Sequence, residues 1–175
     1  VLPTTTGSAS ARSLGDLMTD ALVIGCGGTI GGAWTVAALG ALADETGVDP
    51  RDMQVLQGTS AGAEIVTMLG GGASVDDLMD MHRGDSADDR LLRHIADTPA
   101  SVPPVPLPRM LNPRLVRTQR GLAALTGMAP TGRGDAGWLQ RLADGFAAPS
   151  GWFGHRGVRM VAFDYRRGER VAFGS

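Results

Sequence analysis

Two short apolar stretches of this chain each run into a glycine-rich turn, and a helix-forming segment follows each turn. The first reads ALVIGCGGTIGGAW over residues 21–34, and the second reads DMQVLQGTSAGAE over residues 52–64. Strands that alternate with helices fold as parallel sheets, and their turns emerge at the carboxyl ends of the strands. The two turns are therefore predicted to lie side by side at one edge of a sheet.

The rest of the chain continues this pattern of strands and helices. Residues 157–175 are predicted to form a strand, a turn at Arg167-Gly168 and a second strand. Trp34, Ala37, Ala38, Ala41 and Leu42 form one apolar helical stripe, with Gly47 as its C-cap. Ser74 is the predicted N-cap of a later helix. Further helices are expected at 88–97, 114–126 and 135–147. The order predicts a three-layer α/β/α fold with a mainly parallel central sheet.

Composition limits the classes of protein to which the chain can belong. Its 175 residues suffice for one domain with a core. We predict a flexible arm at 1–19, and we predict that 20–175 are the N-terminal portion of a single domain. A formal charge of −2 gives no basic surface for nucleic acid. Cys26 is the single cysteine, which fits a reducing, cytoplasmic compartment. No apolar run is long enough to span a membrane, although peripheral membrane contact stays open.

Ser60 is the strongest candidate catalytic residue. Gly58, Thr59, Ser60, Ala61 and Gly62 spell G-x-S-x-G between a predicted strand and a predicted helix. In that context the pattern is typical of a nucleophile elbow, in which a sharp turn holds the serine hydroxyl clear of the sheet. The glycines are expected to allow backbone to pack against backbone on either side of the serine.

The first glycine-rich turn, CGGTIG over 26–31, is expected to serve the same site. Backbone N–H groups of Gly27 and Gly28, together with that of Ala61, are candidate oxyanion donors. A dinucleotide-binding turn is the competing interpretation, but counting from Gly25 and Gly27 its third glycine would fall at Ile30. We expect Cys26 to be a small buried residue at the end of the strand.

The two motifs together resemble the patatin-like phospholipase family, whose members are serine acyl hydrolases with a Ser–Asp dyad. The resemblance covers residues 20–72 and, more weakly, 157–174. Gly27, Gly28 and Gly31 match the family's glycine-rich loop, whereas Cys26 replaces its first glycine and Ile30 its basic residue. The resemblance implies hydrolysis of lipid acyl esters without cofactor or metal.

No motif in this sequence matches the family's catalytic base. The family's aspartate lies in an Asp-Gly-Gly or Asp-Gly-Ala turn after the final strand pair. The chain's Asp144-Gly145 precedes that pair and is typical of a helix tail, and Asp164 lies on a strand. We therefore expect the base on a C-terminal segment or second chain, so that the isolated 175-residue chain is inactive.

Several points remain open at this stage. Ser60, an acid and His155 occur in the order of a serine–histidine esterase, while His82 and His94 are expected at the surface. Glu64, one helical turn past Ser60, is expected to face solvent or a neighbouring loop. The chain could instead be a catalytically inactive lipid- or nucleotide-binding module. The proline-rich segment 99–113 is either a loop packed on the domain or a lid over a ligand groove.

Overall fold

The computed structural model describes residues 20–99, 135–164 and 167–174 of the chain. Nine regular elements succeed one another along these residues, with a short 3-10 turn at Pro50–Asp52. The elements are β1 (Ala21–Ile24), α1 (Gly28–Thr46), β2 (Val55–Gly58), α2 (Ala61–Gly70), α3 (Val75–Arg83), α4 (Asp89–Asp97), α5 (Gly137–Phe146), β3 (Val158–Asp164) and β4 (Glu169–Phe173). The arm predicted at 1–19, the helix predicted at 114–126 and the proline-rich segment beyond residue 99 lie outside the described residues.

The strands form one sheet in the order β1-β2-β3-β4. The first three strands run parallel, with Ile24 beside Gly58 and Gly58 beside Met160. β4 returns antiparallel to β3, and Gly168 takes a positive φ of 74° in the turn between them. The mixed α/β class with a mainly parallel sheet, predicted from the sequence, is confirmed.

The helices pack over one face of this sheet, because α2 crosses all three parallel strands and contacts α1 and α5. Right-handed crossovers between neighbouring parallel strands place successive helices on the same side. The core lies between the two layers and includes the fully buried Leu56, Val66, Leu69 and Val158. Each such side chain stabilises the fold by about 1.5–3 kcal/mol relative to exposure.

The opposite face of the sheet carries Val23, Gln57 and Arg159, all of them exposed or half-buried. Parallel sheets are normally covered on both faces. The described residues thus supply two of the three predicted layers, and the third layer stays a prediction.

The predicted apolar stripe of α1 turns outward. Trp34 is 72% exposed, whereas Val36 and Leu39 on the other side of the helix are buried. α1 carries no charged residue before Asp44, so its periodicity did not identify the inner face. The predicted caps are confirmed: Gly47 ends α1 in the left-handed conformation, and Ser74 forms a capping box with Asp77.

No helix in the described ranges combines the length and the apolar character needed to cross a membrane.

Candidate active site

Ser60 occupies the turn between β2 and α2, at φ 57° and ψ −130°. Within the described part of the chain it is the one non-glycine residue with a positive φ. A side chain in this region clashes with its own backbone, so the conformation persists only where surrounding structure imposes it. Strained positions of this kind cluster at functional sites.

Gly58 and Gly62 impose the turn through close backbone packing. A Cβ atom added to Gly58 would collide with the backbone of Gly62. One added to Gly62 would collide with the carbonyl group of Ile24 on the neighbouring strand. The strand and helix can approach this closely only because both positions are glycine, as expected from the motif.

Hydrogen bonds then fix the elbow to strands on both sides. The Thr59 N–H donates to the Ile24 carbonyl oxygen on β1 at 3.1 Å. The Thr59 hydroxyl donates to the Val161 carbonyl oxygen on β3 at 2.8 Å. Within α2, the Ser60 carbonyl oxygen accepts from the N–H of Ala63 at 2.7 Å and of Glu64 at 3.3 Å. The backbone on either side of the serine is therefore held independently of its side chain.

The Ser60 side chain itself is exposed and makes no capping hydrogen bond to α2. Its hydroxyl has no hydrogen-bond partner within the described ranges. A serine hydroxyl is a weak nucleophile until an adjacent base accepts its proton. The geometry presents the hydroxyl to solvent at the carboxyl edge of the sheet, where a substrate and a base from elsewhere can reach it.

The glycine-rich turn lies next to this elbow. α1 begins at Gly28, whose φ of 59° suits glycine, and Gly27 is its N-cap. A Cβ built on Gly32 would stand 3.6 Å from the Ala61 side chain, so the first turns of α1 and α2 are neighbours. The first N–H groups of a helix have no partner within it. The candidate donors Gly27, Gly28 and Ala61 thus belong to two adjacent helix N-termini, which favour negative charge.

Two residues of the glycine-rich turn differ from expectation. Cys26 is exposed rather than buried, because β1 already ends at Ile24 and the cysteine falls in the turn. Gly31 matches the family motif, yet a Cβ there would contact nothing, so sterics do not require glycine at this position. Ile30, which stands where the family has a basic residue, is 87% exposed.

His155 lies away from the serine, and its ring contacts backbone groups instead. Its Nε2 lies 2.8 Å from the Met53 carbonyl oxygen, and its Nδ1 accepts the Gly157 N–H at 3.0 Å. Both contacts lie at the amino ends of β2 and β3, and the length of β2, about 13 Å, separates them from Ser60. The imidazole is fixed by backbone groups at the opposite edge of the sheet.

His94 is buried, contrary to the surface position expected for it. It is 7% exposed and stacks on Trp138 with ring centroids 5.5 Å apart. Its position three residues after the buried Leu91 puts both on one helical face, a signal that the sequence contained. His82 is exposed as expected, and partial desolvation, with a smaller contribution from the charge of His94, lowers its pKa.

The carboxylates singled out in the sequence have partners of their own. Asp144 lies on α5 and accepts a hydrogen bond from the Gln140 side chain at 2.8 Å. Asp164 accepts the Arg167 N–H at 3.0 Å in the turn between β3 and β4. The described residues contain no group of three or more His, Cys, Asp or Glu side chains that could hold a metal ion.

Fold and site together define an α/β protein with a serine at a strained strand-to-helix turn, beside a second glycine-rich helix N-terminus. Comparisons of the chain with protein-family models, curated proteins and solved structures give no match. The likeness to patatin-like phospholipases therefore depends on the two motifs at 25–32 and 58–62.

Proposed function

We propose that this chain carries the nucleophile and oxyanion loop of a patatin-like serine hydrolase that cleaves lipid acyl esters. The observation that carries the proposal is the positive φ of Ser60 between Gly58 and Gly62, with the exposed hydroxyl beside two helix N-termini. A merely structural strand-to-helix turn does not need a strained serine, since glycine adopts the same conformation without cost.

The proposed reaction proceeds by two acyl transfers. Ser60 Oγ attacks the ester carbonyl carbon while a base takes its proton, and the carbonyl oxygen becomes an oxyanion. N–H groups of Gly27, Gly28 and Ala61 bind that oxyanion. Collapse of the intermediate expels the alcohol, which takes the proton and leaves acyl-Ser60. Water activated by the same base then releases the fatty acid and restores the hydroxyl.

We assign the base to an aspartate outside the described residues, on a C-terminal segment or a second chain. The described residues place no carboxylate or imidazole in hydrogen-bond contact with the Ser60 hydroxyl, which is consistent with this assignment. We propose a cytoplasmic enzyme that contacts lipid surfaces peripherally, and a third, helical layer over the open face of the sheet.

A non-catalytic lipid-binding module is the second candidate. It is favoured by the Ser60 hydroxyl, which has no partner among the described residues, and by the exposed apolar face of α1. Turnover of a p-nitrophenyl acyl ester by the native protein separates the two. Hydrolysis that Ser60→Ala abolishes and Ser86→Ala leaves unchanged supports the enzyme. Ligand binding without such hydrolysis supports the module.

A further inference from the structure

Glu64 and His94 make a polar contact between two helices next to the serine elbow. His94 Nε2 lies 3.3 Å from Glu64 Oε2, with the side chains 6% and 28% exposed respectively. Trp138 on α5 stacks against the imidazole at an interplanar angle of 26°. His94 Nδ1 is buried without a hydrogen-bond partner in the described part of the chain. Glu64 is therefore the polar group on which this buried imidazole depends.

Glu64 belongs to the first turn of α2, four residues after Ser60, and its N–H donates to the Ser60 carbonyl oxygen at 3.3 Å. A carboxylate in the first turn of a helix is attracted to the free N–H groups of that turn. One of those groups is the Ala61 N–H, which the proposed function assigns to the oxyanion. An unrestrained Glu64 carboxylate would compete with the oxyanion for the same donor and repel its charge.

We propose that His94 is a positioning residue that holds the Glu64 carboxylate toward α4 and keeps it from the oxyanion donors at the start of α2. This inference rests on the proposed function, since it concerns the Ala61 N–H as a donor. This role explains why a histidine is buried between α2 and α5, although its Nδ1 has no hydrogen-bond partner among the described residues. Removing His94 harms the site only while the Glu64 carboxylate is present.

The test is the rate at which a fluorophosphonate ester labels Ser60 in folded native protein. We expect His94→Leu, which has no polar group, to slow labelling about tenfold, which is less than the roughly 10²–10³-fold cost of losing an oxyanion donor outright. The double variant Glu64→Gln/His94→Leu should recover to within about threefold of the wild-type rate, because no carboxylate remains to compete. His94→Gln, whose amide can still contact Glu64, should label at close to the wild-type rate.

The matched control is Asp97→Asn, which removes the negative charge from the 2.6 Å contact of Asp97 with Arg141 between α4 and α5 and leaves the Glu64 contact in place. It should leave labelling unchanged. If the folded double variant labels as slowly as His94→Leu, the contact between His94 and Glu64 only stabilises helix packing. That result would overturn the proposal.

If His94→Leu does not fold, the labelling rate of the single variant Glu64→Gln tests the proposal instead. Labelling at or above the wild-type rate supports the proposal, and slower labelling of folded protein contradicts it. Folded wild-type protein that includes the segment or second chain assigned the base, and in which Ser60 is still not labelled, would instead refute the proposed function, and this inference with it.

Discussion

The backbone N–H of Thr59 donates to the carbonyl oxygen of Ile24 at 3.1 Å, which joins the residue before the candidate nucleophile to the end of the neighbouring strand. The same Ile24 carbonyl group is the one that a side chain at Gly62 would strike. One carbonyl group thus orients the elbow from one side and limits residue size on the other. The turn before α1 and the turn before α2 are consequently held in a fixed relation.

Gly62 is therefore expected to tolerate no side chain. Gly62→Ala forces the backbone apart, and we expect it to lower the free energy of unfolding by about 1–3 kcal/mol. Gly31→Ala is the matched control, because a Cβ there meets open space within α1. Alanine in a helix is favoured over glycine by about 0.5–1 kcal/mol, so the control should gain stability. Urea unfolding measures both, and equal effects would contradict the packing described here.

His155 is expected to contribute to stability and not to catalysis. His155→Ala removes the contacts to the Met53 carbonyl oxygen and the Gly157 N–H, and should destabilise the fold by about 1–3 kcal/mol. Ser60 labelling in the folded fraction should keep its wild-type rate. A folded His155→Ala protein that no longer labels would restore the histidine as a candidate base.

The capping box of α3 predicts a pH dependence of stability. Hydrogen bonds from the Ser74 hydroxyl and N–H lower the pKa of Asp77 below its usual value. A lowered carboxyl pKa gives stability that is present above the unfolded value of about 3.9 and is lost as the pH falls through the folded value. Ser74→Ala should cost about 1 kcal/mol near neutral pH.

At a pH below the folded pKa of Asp77, the cost of Ser74→Ala should be smaller. Urea unfolding of wild type and variant at a series of pH values, from pH 7 down through the folded pKa of Asp77, checks this difference. A cost that stays equal over the whole series would mean that the Asp77 charge takes no part in the cap.

Truncation of a side chain should lower the free energy of unfolding on the buried side of α1 and leave it nearly unchanged on the exposed side. Val36 is fully buried, and Val36→Ala should lower the free energy of unfolding by about 2 kcal/mol. Trp34 is 72% exposed, and Trp34→Ser should change the free energy of unfolding by less than about 0.5 kcal/mol. A large loss at Trp34 would show that further polypeptide covers this face in the native protein.

Local signals in the sequence were sufficient to predict most of the elements. The two glycine turns, the caps at Gly47 and Ser74, the helix at 135–147 and the final strand pair all depend on neighbouring residues, and the structure has each of them. The sharp turn at Ser60 was also predictable from local sequence, because glycine at positions 58 and 62 allows the close backbone packing that the turn requires.

Contacts between distant segments were not predictable in the same way. His94 is buried by Trp138, which is far along the chain, and His155 is fixed by Met53 from a separate strand. α1 is apolar on both sides, so its pattern could not show which face meets α2. The exposure of Cys26 depends on where β1 ends. The sequence did not fix that end, because the apolar residues run directly into glycines.

Covalent labelling tests the central claim most directly. Native protein, including the segment or second chain to which the base is assigned, would be treated with a fluorophosphonate ester, digested, and mapped by mass spectrometry. Ser60→Ala and Ser86→Ala would be treated in parallel. We predict one phosphonylated site, Ser60, that is lost in Ser60→Ala and retained in Ser86→Ala. Folded native protein that stays unlabelled at Ser60, or that labels equally well after Ser60→Ala, would contradict the assignment of Ser60 as the nucleophile.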